Sequence, residues 1–382
     1  MTNTRLKVGI LTGGGDCPGL NAVIRAVSKS LMSRCGAEVY GFEDGFQGLI
    51  EKRCRQLDYR DVSGILTHGG TILGTSNRAN PFNHLAEGGT DVSDEVVEYA
   101  HSLGLSGLVA IGGDGTMSIA SGLVKKGLNV VGVPKTIDND LVGTDRTFGF
   151  DTAVSIATEA LDRLHSTAQA HRRVMICETM GRYAGWIALH AGVASGSDVI
   201  LIPEIAYDIE EVVEVCRRRD RGGQRYTIVA IAEGATSIDG SHVIRETDET
   251  SPDPIRLGGV GHVLAEEIKA RFEGEVRTTV LGHVQRGGTP TAYDRVLASG
   301  FGAYAAAMVE AGVHGHMVAF RRNRLTHVPL DAVANKTRTV PMNSPVLAAA
   351  RAIGTSFGAG DIEGRFRGHA EDENIPTGEP VA

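Results

Sequence analysis

Asp138 and Asp140 stand two positions apart in the segment PKTIDND, directly after an apolar, β-branched run. In an extended loop their carboxylates face opposite ways, so one could accept a proton from an acceptor hydroxyl while the other addresses a metal. An Asx-rich turn capping a helix would be written with the same letters. A third carboxylate, Asp114, lies in Gly112-Gly113-Asp114-Gly115-Thr116. One acid among glycines suits a magnesium ion bridging donor phosphates, for which the glycines make room. The segment Gly13-Gly14-Gly15-Asp16-Cys17-Pro18-Gly19 adds three successive glycines after KVGILT. They let a backbone come close to a phosphate, and a tight strand-to-helix turn alone would also use them.

These loops need elements that hold them still. Short apolar runs at 7–12, 107–111, 129–133, 173–177, 198–202, 226–231 and 277–281 alternate with helical periodicity at 21–33, 116–125, 152–168, 209–218, 261–272 and 293–309. Such alternation predicts an α/β fold with mainly parallel sheets flanked by helices. In sheets of that kind ligands bind beyond the carboxyl ends of the strands, where helix N-termini aim N–H groups at anions. All three loops occupy that position.

With 382 residues, of which 42% are hydrophobic, the chain can fill two cores of ordinary size. Its 38 Lys+Arg against 46 Asp+Glu leave a net charge of −8, and no basic run of the kind used for nucleic acid or anionic membranes stands out. An anionic substrate must then be held by local arginines. Five scattered cysteines without metal-ligand spacing point to reduced thiols in the cytoplasm. The opening MTNTRLKVGILTGGGD has too short an apolar stretch for a signal peptide, and no run approaches the ~20 residues of a membrane span.

The motifs GGGDCPGLNAVIR, GGTILGTS, GGDGT, PKTIDND, FGFDTA, MGRYAGW, Ile202-Pro203-Glu204 and LGHVQRGGTPTAYDR follow one another from about Lys7 to Ala306. In kind and order they resemble the phosphofructokinase family. That resemblance implies two similar domains with the active site in the cleft between them: residues 1–145 for ATP and magnesium, 146–320 for the sugar phosphate, and a return segment at 321–350; residues 351–382 turn to Gly, Glu, Asp and Arg with weak periodicity and read as a peripheral or disordered tail. It also implies a glycolytic enzyme that phosphorylates the C1 hydroxyl of fructose 6-phosphate, working in the cytoplasm as a homotetramer or homodimer with shared active sites.

Carried over position by position, the resemblance makes Asp138 the base, has Thr136 contact the transferred phosphoryl group and has Asp114 hold magnesium. Asp140 becomes a second acid on the metal side. Gly15 and residues Gly113, Asp114, Gly115 and Thr116 form the donor-phosphate cradle. Arg78 would add a positive charge there; GTSNRANP carries an extra residue against the family spacing, so Asn77 is the alternative occupant. Substrate contacts fall on Thr136, Ile137, Asp138, Met180, Gly181, Arg182, Glu233, His283, Val284, Gln285 and Arg286, with Arg182 also stabilising the transferring group. Arg173 and Arg277 would be lent by a neighbouring subunit to the sugar's 6-phosphate, where an arginine fork can pair bidentately.

Two positions bear on the donor. Gly115 is typical of relatives that use ATP and leaves space for its α-phosphate, whereas Lys135 is typical of relatives that use pyrophosphate. An obstruction excludes ATP and a helpful lysine does not, so Gly115 decides for ATP. The family's basic effector site is only partly kept: Arg25 is present, while His165 and Tyr59 stand where arginines are expected, so control by ADP or phosphoenolpyruvate is not carried over. A pyrophosphate-dependent phosphotransferase is the nearest rival. An NAD kinase would leave GHVQR and MGR without purpose, a non-catalytic sensor would not need Asp114, Asp138 and Arg182, and a Rossmann dehydrogenase would need a different glycine register.

Overall fold

The computed structural model describes residues 5–85, 88–240, 244–247, 255–360, 362, 375–378 and 381. Its strands are β1 (Lys7–Thr12), β2 (Glu38–Phe42), β3 (Cys54–Leu57), β4 (Gly107–Gly112), β5 (Val130–Thr136), β6 (Phe148–Gly149), β7 (Val174–Thr179), β8 (Val199–Leu201), β9 (Thr227–Ala232), β10 (Ile244–Thr247), β11 (Ile255–Leu257), β12 (Val276–Val280), β13 (His316–Arg321) and β14 (Arg324–Pro329). An eight-stranded sheet runs β14-β13-β5-β4-β1-β2-β3, with β6 beside β5; a four-stranded sheet runs β12-β7-β9-β8, and β10 and β11 pair separately. The four-stranded sheet is parallel throughout, and in the larger one only the edge strands β3 and β14 pair antiparallel. The expected α/β class is what the chain adopts.

The period of two in the strands divides the core into layers. In β1, Val8 and Ile10 join one apolar cluster, while Leu11 points into another on the opposite face. In β7, Met175 and Cys177 enter the same cluster as Val8, whereas Val174 and Ile176 face a third. The shared cluster also takes Ile24 of the helix Leu20–Cys35, Leu161 of Phe150–His171 and Phe301 of Ala292–Glu310. Both sheets thus pack on one common helical layer, which fixes their carboxyl ends relative to each other. Each such aliphatic side chain contributes roughly 1.5–3 kcal/mol when fully removed from water.

All seven expected strands are present, with bounds within three residues of those expected. The hairpin β13–β14 was not expected. Its turn is Arg322-Asn323, both at positive φ (49° and 62°), the geometry that matches the twist of a two-residue hairpin. The usual glycine signal is missing from this turn, which hid it. After residue 351, Phe357 and Ile375 are buried and Arg321 donates to the Ile375 carbonyl oxygen, so these parts pack on the body of the protein. Most of 361–374, within the tail expected to be peripheral, lies outside the described residues.

Candidate active site

Three turns leave the adjacent, parallel carboxyl ends of β1, β4 and β5 and surround a cleft of about 530 Å³. Gly14, Gly15, Gly113, Asp114, Gly115, Thr116, Lys135, Thr136, Asp138 and Asp140 all line it, and Arg286 reaches it from the end of β12. A Cβ at position 15 would lie 2.5 Å from Arg286 Nη1, so a larger residue in the first turn would displace that guanidinium. Arg286 donates to the Asp16 carbonyl oxygen at 3.1 Å, joining the two sheets' loops across the cleft.

The turn after β5 is fixed locally. The Asp138 N–H donates to Thr136 Oγ1 at 3.0 Å, Asn139 takes a left-handed φ of 52°, and its side-chain oxygen accepts from the Thr147 N–H at 3.0 Å. Asp138 Oδ1 is buried without a hydrogen-bond partner among the described residues. Removal from water, and next the Asp140 carboxylate, push the Asp138 pKa up, to about 7. Burial also raises Asp140, against the lowering effect of the Thr136 hydroxyl. Lys135 is buried, its pKa is lowered by desolvation, and its ammonium donates to the Gly15 carbonyl oxygen. It therefore ties the third turn to the first.

Asp114 opens the helix Asp114–Lys125, where a helix N-terminus favours negative charge. Its Oδ1 accepts from the Asn335 N–H at 2.9 Å, and burial raises its pKa with a further contribution from Asp140. A Cβ built on Gly115 meets nothing within 4 Å, so this stretch of the wall opens onto free space.

Loops of the four-stranded sheet stand beside the cleft: Arg286 lines it, and Glu233 is close enough to act on Asp138 through its charge. Met180, Gly181 and Arg182 follow β7, Glu233 follows β9, and the single turn Gly282–Arg286 follows β12. Gly181 has φ 135°, a region other residues rarely occupy. The Arg182 guanidinium lies 4.9 Å from the centre of the Tyr183 ring. Burial, then the Glu178 charge, push Glu233 up to about 7, opposed by Arg286 and Arg182. His283 and Val284 are exposed, while Gln285 and Ile137 are buried.

Ile137, Met180, Gly181, Arg182, Glu233, His283, Val284 and Gln285 do not line this cleft, and three further expected residues lie elsewhere. Arg173 and Arg277 sit at the amino ends of β7 and β12, both bonded to Glu275. Seven extended residues separate Arg173 from Met180, roughly 23 Å at the usual rise per residue, so these arginines do not join this chain's own cleft. Arg78 is exposed and does not line the cleft; Asn77 and Asn80 do. Ser76 Oγ accepts from the N–H groups of Arg78 and Ala79, and Ala79 is buried, which turns the chain so that Asn77, itself exposed, is the residue that faces the cleft. Asn335 was missed altogether: it meets Asp114 across 221 residues, a pairing no local pattern encodes.

The phosphofructokinase family model matches residues 7–309. ATP-dependent 6-phosphofructokinase 2 of Clostridium perfringens is 48% identical over 92% of this chain and 98% of its own length. Pyrophosphate–fructose 6-phosphate 1-phosphotransferase of Amycolatopsis methanolica is 50% identical over 88% of this chain and 96% of its own. The solved phosphofructokinase of Saccharomyces cerevisiae superposes with a TM-score of 0.73 at 31% identity over 86% of this chain, which spans 45% of that longer one. The loops at the strand ends, the cleft they enclose and these likenesses agree: the chain belongs to the phosphofructokinase family.

Proposed function

We propose that this chain transfers the terminal phosphoryl group of magnesium-bound ATP to the C1 hydroxyl of D-fructose 6-phosphate, giving fructose 1,6-bisphosphate and ADP. The observation that carries this is a single cleft in which glycine turns and Asp114 face Asp138, whose Oδ1 is buried and unpartnered. An oriented hydroxyl and a nearby proton acceptor are what phosphoryl transfer asks of a protein. Asp138 takes the hydroxyl proton. Thr136 and Arg182 hold the transferring group, and Glu233 and Arg286 orient the sugar phosphate.

Asp114 presents one carboxylate to the cleft, and Asp140 is close enough to affect it. Magnesium typically takes one or two carboxylates together with donor phosphates and water, so these residues fit it. When bound, the ion would neutralise charge on the donor phosphates. Asp114→Ala is expected to raise the half-saturating magnesium concentration at least about tenfold, read by titrating magnesium at fixed ATP; an unchanged titration counts against the assignment.

Pyrophosphate as donor is the second reading, favoured by Lys135 on the cleft wall. Here Lys135 is engaged with Gly15, and Gly115 leaves the α-phosphate position open. Relatives with both donor names match about equally well. Measuring fructose 1,6-bisphosphate formation with each donor separates the two, and ATP is expected to support it alone or far better.

A base with a raised pKa must lose its proton before it acts. The acid limb of kcat/KM is therefore expected near pH 7, with activity falling as pH drops through it. A limb near pH 4 would mean that the working enzyme does not hold this carboxyl raised.

Arg173 and Arg277 complete the reading as residues lent to a neighbour, in a homotetramer or, as the smaller assembly, a homodimer of the cytoplasm. Among the described residues no helix is long and apolar enough to cross a membrane. Mixing subunits carrying Asp138→Ser with subunits carrying Arg277→Ser is expected to restore part of the lost activity. A fully active monomer in sedimentation would overturn the sharing of sites.

A further inference from the structure

Residues 335–340 run from the cleft wall at Asn335 toward the four-stranded sheet's half and fasten to three separate places. At one end the Asn335 N–H donates to Asp114 Oδ1 at 2.9 Å and to Ser118 Oγ at 3.1 Å. In the middle the Arg338 N–H donates to the Asp140 carbonyl oxygen at 2.7 Å, beside an isolated antiparallel bridge between Leu141 and Thr337. The Arg338 guanidinium then reaches over the same turn, its Nη1 donating to the carbonyl oxygens of Asn139 at 3.2 Å and Asp145 at 3.3 Å. At the other end the Val340 N–H donates to Glu204 Oε1 at 2.8 Å. That oxygen also accepts from the Gly185 N–H at 3.0 Å, three residues beyond Arg182.

The side chain of Arg338 is itself held in place. Its guanidinium carbon lies 4.5 Å from the centre of the Trp186 ring, and Trp186 Nε1 donates to the Arg338 carbonyl oxygen at 3.3 Å. Trp186 opens the helix that follows the Met180–Gly181–Arg182 loop, so it belongs to the four-stranded sheet's half of the molecule. Asn139, the residue under the fork, occupies a left-handed conformation that asparagine adopts only at some cost. An external brace on its carbonyl stabilises that conformation, and with it the direction of the neighbouring Asp138 and Asp140 side chains.

We propose that residues 335–340 act as a clasp that sets the distance between Asp114 and the Asp138–Asp140 turn, with Arg338 as the positioning residue and Glu204 as the anchor on the far half. The role in turnover rests on the function proposed above; the bracing of the turn does not. Arg338 touches no reacting group. It acts through the backbone of residues 139–145, so its removal lowers turnover far more than substrate affinity.

The test compares Arg338→Ala and Arg338→Lys with the unaltered full-length protein, by hydrogen–deuterium exchange and by kinetics with fructose 6-phosphate and ATP. Exchange at the amides of 138–147 is expected to rise at least about tenfold in Arg338→Ala, with the strands of both sheets unchanged. Turnover is expected to fall between about 10- and 100-fold with both KM values within about threefold, as small misplacements of reacting groups do. Arg338→Lys, which keeps a charge and a donor over the turn, is expected to fall between the two. Millimolar guanidinium added to Arg338→Ala is expected to recover part of kcat and to leave the unaltered protein as it was. Unchanged exchange at 138–147 overturns the clasp whatever the kinetics show. A folded Arg338→Ala with normal kcat overturns its part in turnover. An unaltered protein inactive with either donor overturns the function above, and the exchange data still decide the clasp.

Discussion

Asp138→Ser is expected to lower kcat by roughly two to four orders of magnitude while the KM for fructose 6-phosphate stays within about tenfold. The asymmetry follows from where the residue acts. A proton acceptor matters while the hydroxyl is losing its proton and much less while the sugar is only bound. The structure makes the substitution a clean one. Asp138 Oδ1 has no hydrogen-bond partner among the described residues, so no fold-stabilising bond is lost from that atom. The turn itself rests on the Asp138 N–H, Thr136 and Asn139, none of which the substitution alters. Removing a buried carboxylate whose pKa burial has raised should, if anything, leave stability equal or higher at neutral pH. A folded variant with near-normal turnover would mean that another group takes the proton.

Gly115→Asp is expected to damage ATP use by on the order of 3 kcal/mol or more in kcat/KM, which is a loss beyond about a hundredfold. A Cβ at this position meets nothing within 4 Å, so the fold should accept the side chain. On the proposed reading the new carboxylate meets the ligand: on the wall of the cleft it would place like charge against the α-phosphate of ATP in a partly desolvated site. Pyrophosphate has no group there. Because Lys135 already stands on the same wall, the variant is expected to gain some pyrophosphate use. Adding Lys135→Gly should abolish that gain. Unimpaired ATP turnover in Gly115→Asp would show that position 115 does not set the donor. The assignments on the sugar side would then still stand.

Most of the site was legible because each part of it is a short contiguous segment. GGDGT and PKTIDND carry their strand, their turn and their chemistry within a few residues, and the parallel sheet brings their ends together whatever lies between them. What stayed hidden depends on distant contacts. Asn335 meets Asp114 only after the chain has built a second sheet and returned, and nothing in ANKTRTV marks it. Arg78 and Asn77 differ by one step along an irregular turn, and the direction of that turn is decided by the Ser76 hydroxyl and the burial of Ala79, below the resolution of any periodicity. The hairpin β13–β14 escaped for the opposite reason. Its turn is strictly local, but Arg-Asn stands where glycine usually announces it.

The larger sheet is not completed in the order in which the ribosome delivers it. Strand β13 pairs with β5 along Val131 and Gly132, yet roughly 180 residues lie between the end of β5 and the start of β13, or roughly 10 to 40 s of synthesis at common rates. By then every strand of the four-stranded sheet has emerged, its last ending at Val280. A nascent chain therefore carries β5 without its partner at Val131 and Gly132 throughout that interval, since β6 pairs only Lys135 and Thr136, and unpaired edges recruit other strands. Ribosome-bound chains in which Val280 has emerged should resist protease in β7, β8, β9 and β12 and remain sensitive around β5, while chains in which Pro329 has emerged should be protected in both. Equal protection at both stages would mean that β5 closes without its late partner.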